Sequence, residues 1–133
     1  MSLFLLFELF TVYFIIVMIY IEKDILNTIV LTLTESSTLS NPYYIFKFEN
    51  EFNTATEPIY FYTPDISTSK TRYNKFELNE GVDETFIIGQ YKYEVFESAT
   101  VPNLSLPNPV EGLNLIEEGR MVVDGVLTNS IYE

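Results

Sequence analysis

The sequence predicts an all-β sandwich of about seven strands, and three observations lead to it. From Asn27 to Val123 apolar residues recur with a period of two. Clusters of Gly, Pro, Asn, Asp and Ser interrupt that pattern at roughly the 8–12-residue spacing of sandwich strands. No window after Glu22 sustains a helical period over a useful length.

The elements follow in order. Asn27–Glu35 sets Ile29, Leu31 and Leu33 against Thr28, Thr32 and Thr34, the pattern of a half-buried strand. Ser36–Asn41 is a polar break closed by Pro42. Tyr43–Asn50 places Tyr44, Phe46 and Phe48 on one face and Lys47 and Glu49 on the other. Asn53–Glu57 turns into a short strand, Pro58–Thr63, with Ile59 and Phe61 opposite Tyr60 and Tyr62. The Ser/Thr/Asp-rich loop Pro64–Thr71 precedes Arg72–Leu78, whose inward pair is Phe76 and Leu78. After a turn at Asn79–Asp83 a fifth strand is expected at Glu84–Ile88. A sixth, from Gly89, carries Tyr91, Tyr93 and Val95 on one face, with Lys92 and Glu94 on the other. Pro102, Pro107 and Pro109 make Thr100–Pro109 a loop, because proline cannot donate to a ladder. Leu115–Val123, interrupted near Glu118-Gly119, is the last strand.

The sixth strand narrows the topology. A tyrosine just after a glycine turn at the start of that strand is where the tyrosine corner of immunoglobulin-like sandwiches sits, its hydroxyl bonding back to the backbone upstream. Tyr91 is the better candidate, with Tyr93 and Val95 continuing inward beside Phe46 and Phe48 as structural residues; the alternative is that Tyr91 and Tyr93 are two ordinary half-buried strand tyrosines. The fold expected is therefore an immunoglobulin-like β-sandwich over residues 22–126, with a C-terminal tail at 127–133.

The sandwich is preceded by a hydrophobic segment, residues 1–21. Leu3–Ile21 holds Glu8 as its only charge and fourteen Leu, Ile, Phe or Val residues. As a helix it would span about 28 Å, close to a bilayer's hydrocarbon thickness. Its insertion energy sums to on the order of −6 kcal/mol against about +3 kcal/mol for the carboxylate. It lacks the basic start and small-residue cleavage site of a signal peptide. Met18 stands where the apolar run gives way to patterned sequence, so translation starting there is a second reading of this segment, and a buried core helix is a third.

Composition excludes more than it includes. With no Cys there is no disulfide, thiolate site or thiol nucleophile, and with no His the usual general base is gone. Seven basic against 19 acidic residues give a net charge of −12, which repels phosphate backbones, so no nucleic-acid partner is expected. The paired acids Glu117-Glu118 and Asp83-Glu84 are adjacent in strands and face opposite ways; Glu49 and Glu51 carry no further sign of a catalytic dyad. Asp65, Ser67, Asp83 and Asp124 offer loop oxygens for calcium, yet no D-x-D-x-D-G pattern organises them. No catalytic, metal or cofactor site is expected. Tyr43, Tyr60 and Tyr62 share an outward face that suits either a partner protein or a stacked sugar, besides ordinary cross-strand packing.

Four runs, taken together, carry a likeness. They are Asn41-Pro-Tyr-Tyr-Ile-Phe-Lys-Phe-Glu-Asn, Arg72-Tyr-Asn-Lys-Phe, Gly89-Gln-Tyr-Lys-Tyr-Glu-Val-Phe-Glu and Glu118-Gly-Arg-Met-Val-Val. In order and spacing, from about residue 18 to 123, the chain resembles small virion-associated structural proteins of Bacteroidota tailed phages, including crAss-like phages. The resemblance implies a non-enzymatic component of the particle at the head, portal or tail, in contact with other virion proteins or with copies of itself. It also implies a start near Met18, since residues 1–17 have no counterpart in it. Two other functions fit the residues: a membrane-anchored surface or adhesion domain, if residues 1–21 are translated, and a carbohydrate-binding module using the outward tyrosines.

Overall fold

The computed structural model describes residues 18–53 and 55–125. Seven strands build it: β1 Met18–Glu22, β2 Leu26–Leu31, β3 Tyr43–Asn50, β4 Ile59–Tyr62, β5 Asn74–Asn79, β6 Gly89–Ser98 and β7 Asn114–Asp124. They form one five-stranded sheet, in the order β1-β7-β6-β3-β4, and one two-stranded sheet, β2-β5. All pairings are antiparallel except β1 with β7, which run parallel from Met18↔Arg120 to Glu22↔Asp124.

Alternation decides which face each strand buries. In β2 the buried residues are Asn27, Ile29 and Leu31; in β5 they are Asn74, Phe76 and Leu78. In the large sheet Ile19, Ile21, Phe46, Phe48, Phe61, Tyr91, Tyr93, Val95, Met121 and Val123 meet them in one continuous core. The sheets are joined by aromatic edges. Phe76 of the small sheet lies T-shaped to Phe46 at 5.1 Å and to Tyr44 at 6.0 Å, a geometry favoured by the ring quadrupoles. Phe86, from the β5–β6 connection, caps the core against Phe48 and Tyr91 at 5.4 and 5.6 Å.

Tyr93 is buried flat against β7, and that is why Gly119 lies opposite it. A Cβ at position 119 would sit 2.7 Å from the Tyr93 ring, closer than packed atoms tolerate. Tyr93 then donates its hydroxyl to Glu117 at 2.9 Å, which satisfies a phenol that burial and the neighbouring carboxylate push well above its ordinary pKa.

Four elements differ from the sequence reading. Met18–Glu22 is a strand, with Ile19 and Ile21 inward and Met18 and Tyr20 outward, so the last residues of the expected hydrophobic helix are extended and belong to the large sheet. The remainder of that helix, residues 3–17, and the expected tail lie outside the described residues. Among the described residues no helix is long and apolar enough to cross a membrane. Glu84–Ile88 is not a strand but an irregular connection that buries Phe86 alone. At its centre side chains take the place of a neighbouring strand, Glu80 accepting from Phe86 N–H and Tyr91 bonding both the N–H and the carbonyl of Ile87. The last strand is continuous through Glu118-Gly119; the irregularity lies higher, between Val95 and Phe96, where Ile116 is an extra residue in β7. Strand β2 also ends early, at Leu31, and a 3-10 turn at Thr34–Ser36 starts the crossing to β3.

Candidate functional site

The strand register sorts the loops into two ends of the sandwich. At one end lie the β1–β2, β3–β4 and β5–β6 connections, beside the pairs Glu22↔Asp124, Asn50↔Tyr91 and Leu26↔Asn79. At the other lie the β2–β3, β4–β5 and β6–β7 connections, beside Leu31↔Asn74 and Tyr43↔Ser98.

The first end is built on two polar anchors. Glu80 has a wholly buried side chain, and its carboxylate accepts from Asp24 N–H at 2.8 Å, Phe86 N–H at 2.9 Å and the Lys23 ammonium at 2.9 Å. Tyr91 is buried, and its hydroxyl donates to Ile87 carbonyl at 2.8 Å while accepting from Ile87 N–H at 3.0 Å. Asp83 closes the turn below by accepting from Asn79 N–H at 2.8 Å, and Asn50 closes the β3–β4 turn by accepting from Phe52 and Asn53 N–H. On these fixed turns large apolar side chains face water: Phe52 is 78% exposed, Val82 77%, Ile87 61% and Ile88 57%. Glu51 adjoins Phe52 and Asp83 adjoins Val82 in sequence, and Asp24 and Glu84 lie in connections at the same end. These four exposed apolar residues share one end of the sandwich, on connections anchored by Glu80, Tyr91, Asp83 and Asn50.

Tyr91→Phe tests the corner. It removes two hydrogen bonds to Ile87, whose backbone can regain water, so a loss of about 1–2 kcal/mol in denaturant unfolding is expected. An unchanged midpoint would mean that the hydroxyl contributes nothing to pinning this connection.

The second end carries a groove of about 480 Å³ between the β2–β3 and β4–β5 connections. Tyr43, Tyr44, Tyr62, Pro42 and Pro64 supply its apolar wall. Tyr43 and Tyr62 meet edge to face, with centroids 6.1 Å apart. Tyr44 is buried and shares a hydrogen bond with Ser37. The base is a polar chain: Asn74 accepts from Leu33 N–H at 2.7 Å and donates to Asp65 at 2.7 Å, and Asp65 accepts from Ser67 and Lys75 N–H. Burial raises the Asp65 carboxyl, but these donors, Asn74 foremost, outweigh it and hold the group below its ordinary pKa. Nearby, buried Glu97 on β6 ties the β2–β3 connection to the start of β7 by accepting from Thr38, Leu39 and Asn114. The one buried polar side-chain atom without a partner among the described residues is Ser67 Oγ.

The outward tyrosines are divided by this geometry. All three lie on the outer face of the large sheet, Tyr62 across from Ile45 and Tyr60 across from Lys47. Tyr43 and Tyr62 line the groove; Tyr60 stands beside the charged ladder in which Lys47 and Lys92 meet Glu94. Phe46, Phe48, Tyr91 and Tyr93 are all in the core. The loop oxygens considered for calcium are not brought together: Asp65 and Ser67 sit at one end and Asp83 and Asp124 at the other. Among the described residues no three acidic side chains cluster so as to hold a metal ion. Glu117 points inward to Tyr93 and Glu118 outward to Lys92, so that pair forms no dyad. The buried carboxylates Glu80 and Glu97 were not foreseen; their only sequence signal is position, each just past or at the end of an alternating strand.

Comparison with protein-family models, curated proteins and solved structures yields no match to this chain.

Proposed function

We propose that this chain is a non-enzymatic immunoglobulin-like module serving as a structural or accessory protein of a tailed-phage particle, working through contacts with other virion proteins or with a second copy. The fold part of this reading rests on strand order. With β2 and β5 taken as strands B and E, and β3, β6 and β7 as C, F and G, both B–C and E–F connections cross between sheets, as they do in immunoglobulin domains. β4 then takes the place of C′, the added edge strand of variable-type domains, and Tyr91 the place of the tyrosine corner on strand F.

The function part rests on one observation, that Phe52, Val82, Ile87 and Ile88 are all exposed at one end of the sandwich, on connections anchored by buried side chains. Exposed apolar side chains on anchored backbones leave less of the chain to be ordered on docking, which favours an assembly contact. The virion setting comes from the sequence resemblance over residues 18–123.

Mass spectrometry of purified particles is expected to find the chain in fixed copy number. Because the chain has no cysteine, Val82→Cys supplies a unique thiol for cross-linking within those particles. A cross-link from position 82 to a structural protein is the expected result. Absence from particles, with recovery in host membranes and with peptides preceding Met18, would overturn the reading in favour of an anchored surface domain.

A further inference from the structure

We propose that the groove at the opposite end of the sandwich binds a neutral pyranose sugar of about two rings, stacked on Tyr62 and Tyr43. Its volume, about 480 Å³, lies within the range of clefts that enclose small ligands, about 300–1,000 Å³. The wall and the rim have different chemistry, and a sugar ring has the same division. One face of a pyranose is a patch of C–H groups that packs on an aromatic ring; its edge is a ring of hydroxyls. The wall supplies the aromatic rings, Tyr43 and Tyr62, fixed against each other at 6.1 Å. The rim supplies short hydroxyl and amide groups, Ser40, Asn41, Thr63 and Thr71, which both donate and accept.

Charge selects the class of sugar. The only ionised side chains on the lining are Asp65 and Lys70. Lys70 lies 3.6 Å from the Asp65 carboxylate and donates to the Asp65 carbonyl at 2.8 Å, so they neutralise each other and leave the groove without net charge. The whole chain carries −12, which disfavours uronic or sialic acids and phosphosugars at long range. A neutral hydroxylated ring is what remains. The groove is also built rigidly: Asn74 and Asp65 tie its base to the β2–β3 connection and to β5 through bonds of 2.7–3.0 Å, so little ordering cost falls on binding.

The test is a titration of the isotope-labelled full chain with maltose, cellobiose, lactose, mannobiose and chitobiose, followed by amide chemical shifts. Saturable shifts at residues 40–44, 62–65 and 70–74 are expected with at least one of these sugars. Tyr62→Ala is expected to weaken that binding about tenfold or more, through loss of the stacking face. Tyr62→Phe, which keeps the ring, is expected to retain most of it, and Tyr60→Ala, outside the groove, to stay within about twofold. The dispersion of the same spectra reports whether each variant is folded. No saturable shift with any of the five sugars, shifts that survive Tyr62→Ala, or saturation of the groove by a proline-rich peptide in place of sugar would each overturn the proposal.

Discussion

Phe46→Ala is expected to lower the unfolding free energy by about 3–5 kcal/mol, measured by urea or guanidinium denaturation. The ring is fully buried at the centre of the contact between sheets. It stacks on Phe48 at 5.9 Å, leans on Phe61 at 6.2 Å and receives the edge of Phe76 at 5.1 Å. Truncation removes the transfer energy of an aromatic ring and opens a cavity whose rim is made of other rings. Those rings are held by their own strand pairings, Phe48↔Tyr93 and Phe61↔Phe46 in the large sheet and Phe76↔Ile29 in the small one, so the site cannot collapse freely. Against a total stability of about 5–15 kcal/mol for a domain of this size the loss is a large fraction. Tyr60→Ala, half-buried on the outer face of β4, provides the contrast and is expected to cost under about 1 kcal/mol. If Phe46→Ala costs as little as Tyr60→Ala, the inner and outer faces of the large sheet have been assigned the wrong way round.

Phe46 is also where the sequence was most informative, since period two fixes the face of every residue on a strand once one is known. The same rule placed Ile29, Leu31, Phe61, Phe76, Leu78, Tyr93 and Val95 inward, and all are in the core. It failed at Met18–Glu22 because alternation needs polar residues to be visible. Ile19 and Ile21 face in while Met18 and Tyr20 face out, but all four are apolar and read as the end of a longer run. It failed at Glu84–Ile88 for the opposite reason. Glu84, Phe86 and Ile88 mimic a strand, while the backbone there bonds to the Glu80 carboxylate and the Tyr91 hydroxyl, partners that no local pattern reveals. The groove was half legible: Tyr43 and Tyr62 were assigned to an outward face, but its base depends on Asn74 reaching across 41 residues to Leu33, a contact that only the folded chain specifies.

Glu80→Gln is expected to destabilise the fold by about 3–5 kcal/mol at neutral pH, because it removes one partner from a buried ion pair. The Glu80 side chain is fully buried and the Lys23 side chain only 22% exposed. One carboxylate oxygen accepts from Lys23 and Phe86 and the other from Asp24, so an amide must turn its NH₂ toward at least one N–H donor. The cost should also depend on pH, in a direction the geometry fixes. Burial raises the Glu80 carboxyl, but Phe86 N–H, Asp24 N–H and the Lys23 ammonium outweigh it and hold the group below its ordinary value of 4.5. A carboxyl whose pKa is lower folded than unfolded contributes stability that is complete above the unfolded value and is lost as pH falls from there through the folded one. The difference between wild type and Glu80→Gln should therefore be largest and flat above about pH 5 and should shrink as pH falls below 4.5. Glu97 and Asp65, also held low by their donors, add to the acid loss of the wild type, while Glu84 and Glu117, held high chiefly by burial, oppose it. Those groups are common to both proteins, so taking the difference isolates Glu80. A gap between the two stability curves that stays constant from pH 7 to pH 3 would show that the charge on Glu80 is not what holds the β1–β2 turn to the β5–β6 connection.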